Sequence, residues 1–131
     1  LVRSAHDCSE GGLAVTISEM CFAGGLGAEV FLKEVPYKEC QSVKVSKCQS
    51  KKNKKVKDDV ILFSESNTRF IVEIEKKRQR AFEKAMQGAP MGLIGCVSEK
   101  KDFRVYGLDG KVCVSANIDK LKKAWQEPLK W

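Results

Sequence analysis

His6-Asp7-Cys8-Ser9-Glu10-Gly11-Gly12-Leu13 brings together the chain's single histidine, carboxylates, a hydroxyl and a glycine pair. From its last residue, Leu13, Ile17, Met20 and Cys21, with Ala14 beside them, fall at i, i+4, i+7 and i+8, the spacing of one helical face. This predicts a helix over Gly11–Ala23 with Thr16, Ser18 and Glu19 opposite, stopped by Gly24 and Gly25, because glycine takes the left-handed cap conformation freely. Ser9 is the expected N-cap, its oxygen accepting from the first free backbone N–H groups. Gly11 and Gly12 then fall in the first turn, where each costs roughly 0.5–1 kcal/mol relative to alanine. Two reasons could justify that cost. Bare N–H groups at the positive end of a helix let a phosphate approach; alternatively, the helix start packs tightly on another element. The residues alone leave both open. Asp7 and Ser9 favour the site, since a carboxylate beside a phosphate needs a cation such as Mg²⁺ between them, and Mg²⁺ takes oxygen ligands. His6 by itself is more readily structural.

Outward from this stretch, Leu1–Ala5 is expected as a short strand and Leu26–Leu32 as another, with Val30 and Leu32 alternating against Glu29, Phe31 and Lys33 until Pro36. Lys38–Val43 suits a short helical piece. Phe63–Asn67 is polar and turn-like. Arg69–Glu75 alternates as a half-buried strand, with Phe70, Val72 and Ile74 on one face. Lys76–Gly88 is expected as a helix with Phe82, Ala85 and Met86 inward. Met91–Val97 is nearly all apolar and is expected as a central strand covered on both faces, Gly92 and Gly95 marking close approach of another element. Phe103–Tyr106 and Lys111–Ser115 flank Leu108-Asp109-Gly110 as a hairpin. Asn117 starts a last helix with Ile118, Leu121 and Trp125 on one face. The order predicts an α+β domain, a mixed sheet with helices packed on it.

Composition narrows the function. The chain has 131 residues, enough for one domain over 1–131 with a real core, and its 43% hydrophobic and 31% charged content argues against disorder. No apolar run approaches the roughly 20 residues of a membrane span. Leu1-Val2-Arg3-Ser4 shows neither an initiator methionine nor a signal peptide, as expected of a domain within a longer, cytoplasmic chain. Six cysteines without a C-x-x-C pair, and one histidine, argue against a zinc site and a disulfide framework. Buried free thiols are expected, among them Cys21, Cys96 and Cys113. The seven lysines between Lys44 and Lys57, with no acid among them, account for the whole net charge of +7. The segment is therefore read as an exposed connection, and no basic fold surface is left for nucleic acid. It also has no aromatic residue for base stacking, so a basic nucleic-acid-binding module is the weaker alternative. An interface module is a further alternative.

Ser4–Val15 and Glu19–Ala28 together closely resemble the phosphoribosylformylglycinamidine synthase family, in particular the C-terminal domain of the second half of its synthetase. A second block, Asp58-Asp59-Val60-Ile61-Leu62-Phe63-Ser64-Glu65-Ser66-Asn67-Thr68-Arg69-Phe70-Ile71-Val72-Glu73, resembles the same family in the right order. The resemblance implies the C-terminal-domain fold of aminoimidazole ribonucleotide synthetase. It also implies a part in purine biosynthesis, as a piece of an ATP-dependent carbon–nitrogen ligase (an amidoligase). That enzyme phosphorylates the amide oxygen of formylglycinamide ribonucleotide, and glutamine-derived ammonia then displaces phosphate to give formylglycinamidine ribonucleotide. Mg²⁺ and ATP would be its cofactors; the isolated domain would require none and would be inactive. Expected partners are the remainder of the synthetase chain and a glutaminase domain or subunit, with no membrane.

On that resemblance Asp7 is expected to bind Mg²⁺, Ser9 to contact a phosphate, and Gly11 and Gly12 to offer N–H groups to the nucleotide. His6, Glu65, Ser66 and Arg69 form an expected substrate edge, although Glu65 and Arg69 could instead simply pair on the surface. The chain departs from the family at Glu10, where aspartate is common, and in its lysine insertion. Within the superfamily, a domain of selenide water dikinase or thiamine-phosphate kinase type is the alternative, and Phe63–Ser66 argues against it.

Overall fold

The computed structural model describes residues 1–37 and 56–129. Strand β1 (Val2–Asp7) leads through a short turn into helix α1 (Gly12–Gly24). The apolar stripe of α1 is real: Leu13, Ala14, Ile17 and Cys21 are buried. Gly25 ends the helix in the left-handed region at φ 71 and returns its N–H to the carbonyl of Cys21. Thr16, expected on the polar face, is instead only 2% exposed. It tolerates burial because its hydroxyl donates toward backbone carbonyls of Gly12 in the first turn and of Asp7 at the end of β1.

Strand β2 (Gly27–Phe31) runs into a 3-10 turn at Leu32–Glu34. The helical piece expected at Lys38–Val43 lies outside the described residues, as does the lysine-rich connection expected over 44–57 apart from its last two residues. At Val56 the chain packs against the core again and then forms helix α2 (Asp58–Phe63), with Ile61 and Leu62 buried. This helix was not expected; its six residues are too few for a helical period to show. Strand β3 (Phe70–Ile74) follows. Its inward residue is Ile71, which packs on the core, whereas Phe70 is 66% exposed. The half-buried strand is there, but its burial does not alternate: Ile71 to Ile74 are all half-buried, and Phe70, expected on one face with Val72 and Ile74, is the exposed residue.

A 3-10 turn at Lys76–Arg78 and helix α3 (Gln79–Ala85) replace the longer helix expected there, and α3 buries no residue. The remaining elements are β4 (Gly95–Ser98), β5 (Asp102–Tyr106), β6 (Val112–Asn117) and helix α4 (Ile118–Gln126). The side chain of Asn117 accepts from the N–H groups of Asp119 and Lys120, as a helix N-cap should.

The strands form two sheets. β1 and β3 pair antiparallel, setting His6 opposite Ile71 and Asp7 opposite Phe70. The larger sheet has the order β4-β2-β5-β6 and is mixed: β2 runs antiparallel to β4 and parallel to β5, and β5–β6 is the expected hairpin. Leu13, Ile17, Val30, Leu62, Phe103, Val105 and Ile118 share one core between this sheet and the helices. The central strand expected at Met91–Val97 is corrected to a four-residue edge strand, β4. The glycine reading there holds. A Cβ on Gly92 would lie 2.2 Å from the carbonyl oxygen of Glu34, and one on Gly95 would lie 2.1 Å from that of Glu29. Cys96 and Cys113 are exposed, not buried as expected, while Cys8 and Cys21 are buried. Burial pushes the Cys21 thiol up to about 11.

Candidate functional site: the strand–turn–helix at the start of the chain

β1 carries His6 and Asp7 to its last two positions, so both are strand residues and not members of the loop. Neighbours on a strand point to opposite faces, yet here the strand end lets the two side chains meet, His6 Nδ1 lying 3.4 Å from an Asp7 carboxylate oxygen. His6 faces α1. Its Nε2 lies 3.2 Å from a carboxylate oxygen of Glu19, and its Nδ1 lies 2.8 Å from the carbonyl oxygen of Asp7. The other Glu19 oxygen accepts from the indole N–H of Trp125 at 2.8 Å. One carboxylate on α1 thus joins β1 to α4. The Asp7 side chain is 62% exposed. It borders an open depression lined also by Ala5, His6 and Phe70.

The turn after β1 differs from the expected one. Ser9 does not cap α1 with its side chain; Gly11 holds the cap position at φ 75, and no side chain within the helix caps it. Ser9 and Glu10 are exposed. Neither glycine N–H is bare. Gly12 donates to the carbonyl of Ser9 at 3.1 Å, and Gly11 donates to a carboxylate oxygen of Glu65 at 2.9 Å. The glycine pair is required by shape. Gly12 has φ 62, and a Cβ there would lie 2.8 Å from the carbonyl oxygens of both Leu62 and Ser64. On Gly11 it would lie 2.3 Å from Val15. Of the two reasons open from sequence, close packing is the one these contacts display. The Thr16 hydroxyl, 3.0 Å from the carbonyl of Gly12 and 3.2 Å from that of Asp7, anchors the turn from below.

The second block lies directly against this turn. Cys8 donates its N–H to the carbonyl of Arg69 at 2.9 Å, and the Arg69 guanidinium donates to the carbonyl of Ser64. The surface ion pair between Glu65 and Arg69 does not form among the described residues. The Ser66 hydroxyl lies 3.5 Å from that of Ser64 and is exposed. The two stretches singled out from sequence, some 50 positions apart, are therefore one structural unit. Sequence reading missed Glu19, Trp125 and Phe70 at its margin. It also missed Asp58, whose carboxylate accepts the N–H of Leu108 at 2.9 Å and clasps the β5–β6 turn to α2. Two aspartates ahead of an apolar run were the available signal for that helix start.

Among the described residues no group of three or more His, Cys, Asp or Glu side chains is arranged to hold a metal. The exposed carboxylate of Asp7 suits Mg²⁺ as a single ligand, since that ion commonly takes one or two carboxylates and completes its shell with water and phosphate oxygens.

Comparison with known proteins gives the family and the fold. The subunit PurL of phosphoribosylformylglycinamidine synthase from Deinococcus radiodurans is 35% identical over 130 residues, which cover 99% of this chain and 15% of that protein. Thermotoga maritima PurL complexed with FGAR superimposes with a TM-score of 0.69 at 28% identity, over 92% of this chain and 18% of that one. The same protein complexed with ADP gives 0.70 at 27% identity, over 92% and 19%. The chain thus spans less than a fifth of the length of these relatives. The family model described as AIR synthase related protein, C-terminal domain, matches residues 1–107, and the chain belongs to that family.

Proposed function

We propose that this chain is a C-terminal-type domain of a phosphoribosylformylglycinamidine synthase and supplies one wall of its phosphate-handling site. The observation that carries the reading is the 35% identity to PurL running through 99% of the chain. The reaction is the one the family resemblance implies. The amide oxygen of formylglycinamide ribonucleotide takes the γ-phosphoryl group of ATP and releases ADP. Ammonia derived from glutamine then adds to the activated carbon and phosphate leaves, giving the amidine in purine biosynthesis. Mg²⁺, when bound, neutralises phosphate charge in such a transfer.

The part of this chain is positional. Asp7, exposed at the end of β1, offers a carboxylate oxygen for the ion. Ser9, exposed on the turn, offers a hydroxyl to phosphate. Gly11 and Gly12 shape the turn that presents both, and their own N–H groups are already engaged. His6, tied to Glu19, braces the strand end behind Asp7. The other wall, the nucleotide-binding domain and a glutaminase would come from the rest of a cytoplasmic synthetase. No helix among the described residues is long and apolar enough to cross a membrane.

The test is a chimera in which this chain replaces the matching domain of Deinococcus radiodurans PurL. ADP release should then require formylglycinamide ribonucleotide and ammonia, and Asp7→Asn should lower kcat/KM at least a hundredfold. A folded chimera without turnover would overturn the functional reading. Full activity in the Asp7→Asn variant would remove the role given to Asp7. The chain alone should show no turnover.

A further inference from the structure

We propose that Glu65 is a positioning residue: from the loop after α2 it caps α1 and thereby fixes the turn that presents Asp7 and Ser9. Its role in the reaction rests on the functional reading above, whereas its role as a cap does not. Helix α1 lacks the usual provisions at its start. Gly11 at the cap position has no side chain with which to cap the helix, and the first turn holds no acidic residue. In an ordinary capping box, the third helical residue is Glu or Gln and reaches back to the N–H of the cap residue. Here the third helical residue is Ala14, which is buried in the core and has nothing to offer. Glu65 does this work from 54 positions away, accepting the Gly11 N–H at 2.9 Å. A carboxylate there also meets the positive end of the helix dipole.

The bond controls a part of the chain with unusual freedom. Gly11 and Gly12 are consecutive residues at φ 75 and φ 62, and a glycine pair has many other backbone states open to it. The turn is fastened at its two ends by backbone. Cys8 donates to Arg69, and Gly12 sits against the carbonyls of Leu62 and Ser64. Between those points the contact to Glu65 is the side-chain tie from the facing loop, and Ser9 lies inside the span it closes. Glu65 is itself exposed, so it is not held there by burial. Arg69, the obvious ionic partner, donates to the carbonyl of Ser64 and makes no ion pair with Glu65 among the described residues, so the Glu65 carboxylate is left to Gly11.

The 131-residue chain and the chimera together test this, with Glu65→Ala and Glu65→Gln compared in each. In the chain alone, the Gly11 amide should shift upfield in the proton spectrum and exchange with solvent at least tenfold faster in Glu65→Ala. Glu65→Gln keeps an acceptor oxygen and should stay near wild type. In the chimera, Glu65→Ala should raise KM for Mg-ATP or for formylglycinamide ribonucleotide about tenfold while kcat falls less than threefold, and Glu65→Gln should restore KM to within threefold. A merely structural role would lower the folded fraction and so reduce kcat at unchanged KM; that result, or an unmoved Gly11 amide, overturns the proposal. An inactive wild-type chimera would count against the functional reading, and the amide measurement would still decide the role of Glu65 as a cap.

Discussion

Three glycines around α1 separate two costs that are usually confounded, left-handed backbone and steric contact. Gly24 has neither: its φ is not positive, and a Cβ would meet nothing within 4 Å. Gly25 has the first only, with φ 71 and open space. Gly12 has both, with φ 62 and two carbonyl oxygens 2.8 Å from an added Cβ. Alanine at Gly24 should stabilise the fold by up to about 0.5–1 kcal/mol, since it lies in the helix. At Gly25 alanine should cost about 1–2 kcal/mol, the price of left-handed backbone for an L-residue. At Gly12 that cost recurs, and about 1–3 kcal/mol is added because the obstructing atoms are backbone at the end of α2 and just after it and cannot rotate away. A domain of this size loses roughly 3–5 °C of Tm per kcal/mol. Thermal melts followed by circular dichroism should therefore place Gly24→Ala slightly above wild type, Gly25→Ala about 5 °C below and Gly12→Ala about 10 °C or more below. If Gly12→Ala melts within about 2 °C of Gly25→Ala, the carbonyls of Leu62 and Ser64 do not confine the turn and the packing account of the glycine pair is wrong.

Asn117→Ala should cost about 1 kcal/mol by removing the acceptor for two amides at the start of α4, and Asn117→Asp should recover most of it in urea titrations. Thr16→Val keeps the shape but strips the hydroxyl from the carbonyls of Gly12 and Asp7, so a loss of about 1 kcal/mol at unchanged m-value is expected. The Cys21 thiol is lifted by burial from 9.0 to about 11, so the unfolded chain releases this proton first as pH rises. Stability should therefore fall between pH 9 and 11 by about 2–3 kcal/mol, and Cys21→Ala should flatten that limb of the profile. Iodoacetamide on the native chain should modify exposed Cys96 and leave Cys8 and Cys21 untouched until urea unfolds it.

What could be seen in the sequence was whatever local chemistry determines. Gly25, Asn117 and the turn at Asp109-Gly110 announce a helix end, a helix start and a hairpin because each acts within four residues of itself. The apolar stripe of α1 was visible for the same reason. Tertiary context governs the misses. Met91–Val97 is apolar enough for a central strand, yet only its last part pairs, at the sheet edge. In β3 the residues from Ile71 to Ile74 are all half-buried, because what packs around the strand, and not its alternation, sets their exposure. At the candidate site, the residue types of Asp7 and Ser9 marked the place, and the family resemblance joined it to the block at Glu65. The bond from Glu65 to Gly11 could not be read from either stretch alone, since its donor and acceptor sit 54 positions apart.

The pairing of β2 with β5 has a consequence for biosynthesis. Residues 27–31 have no lasting partner until residues 95–106 exist, and β1 waits in the same way for residues 70–74. At elongation rates of about 5–20 residues per second, the first third of the chain stands incomplete for several seconds after it leaves the ribosome. During that interval Leu13, Ile17, Val30 and Leu32, all buried at the end, have little to cover them. Slow codons placed before residue 106 would lengthen its exposure to aggregation, and the core closes only once Ile118 and α4 have followed.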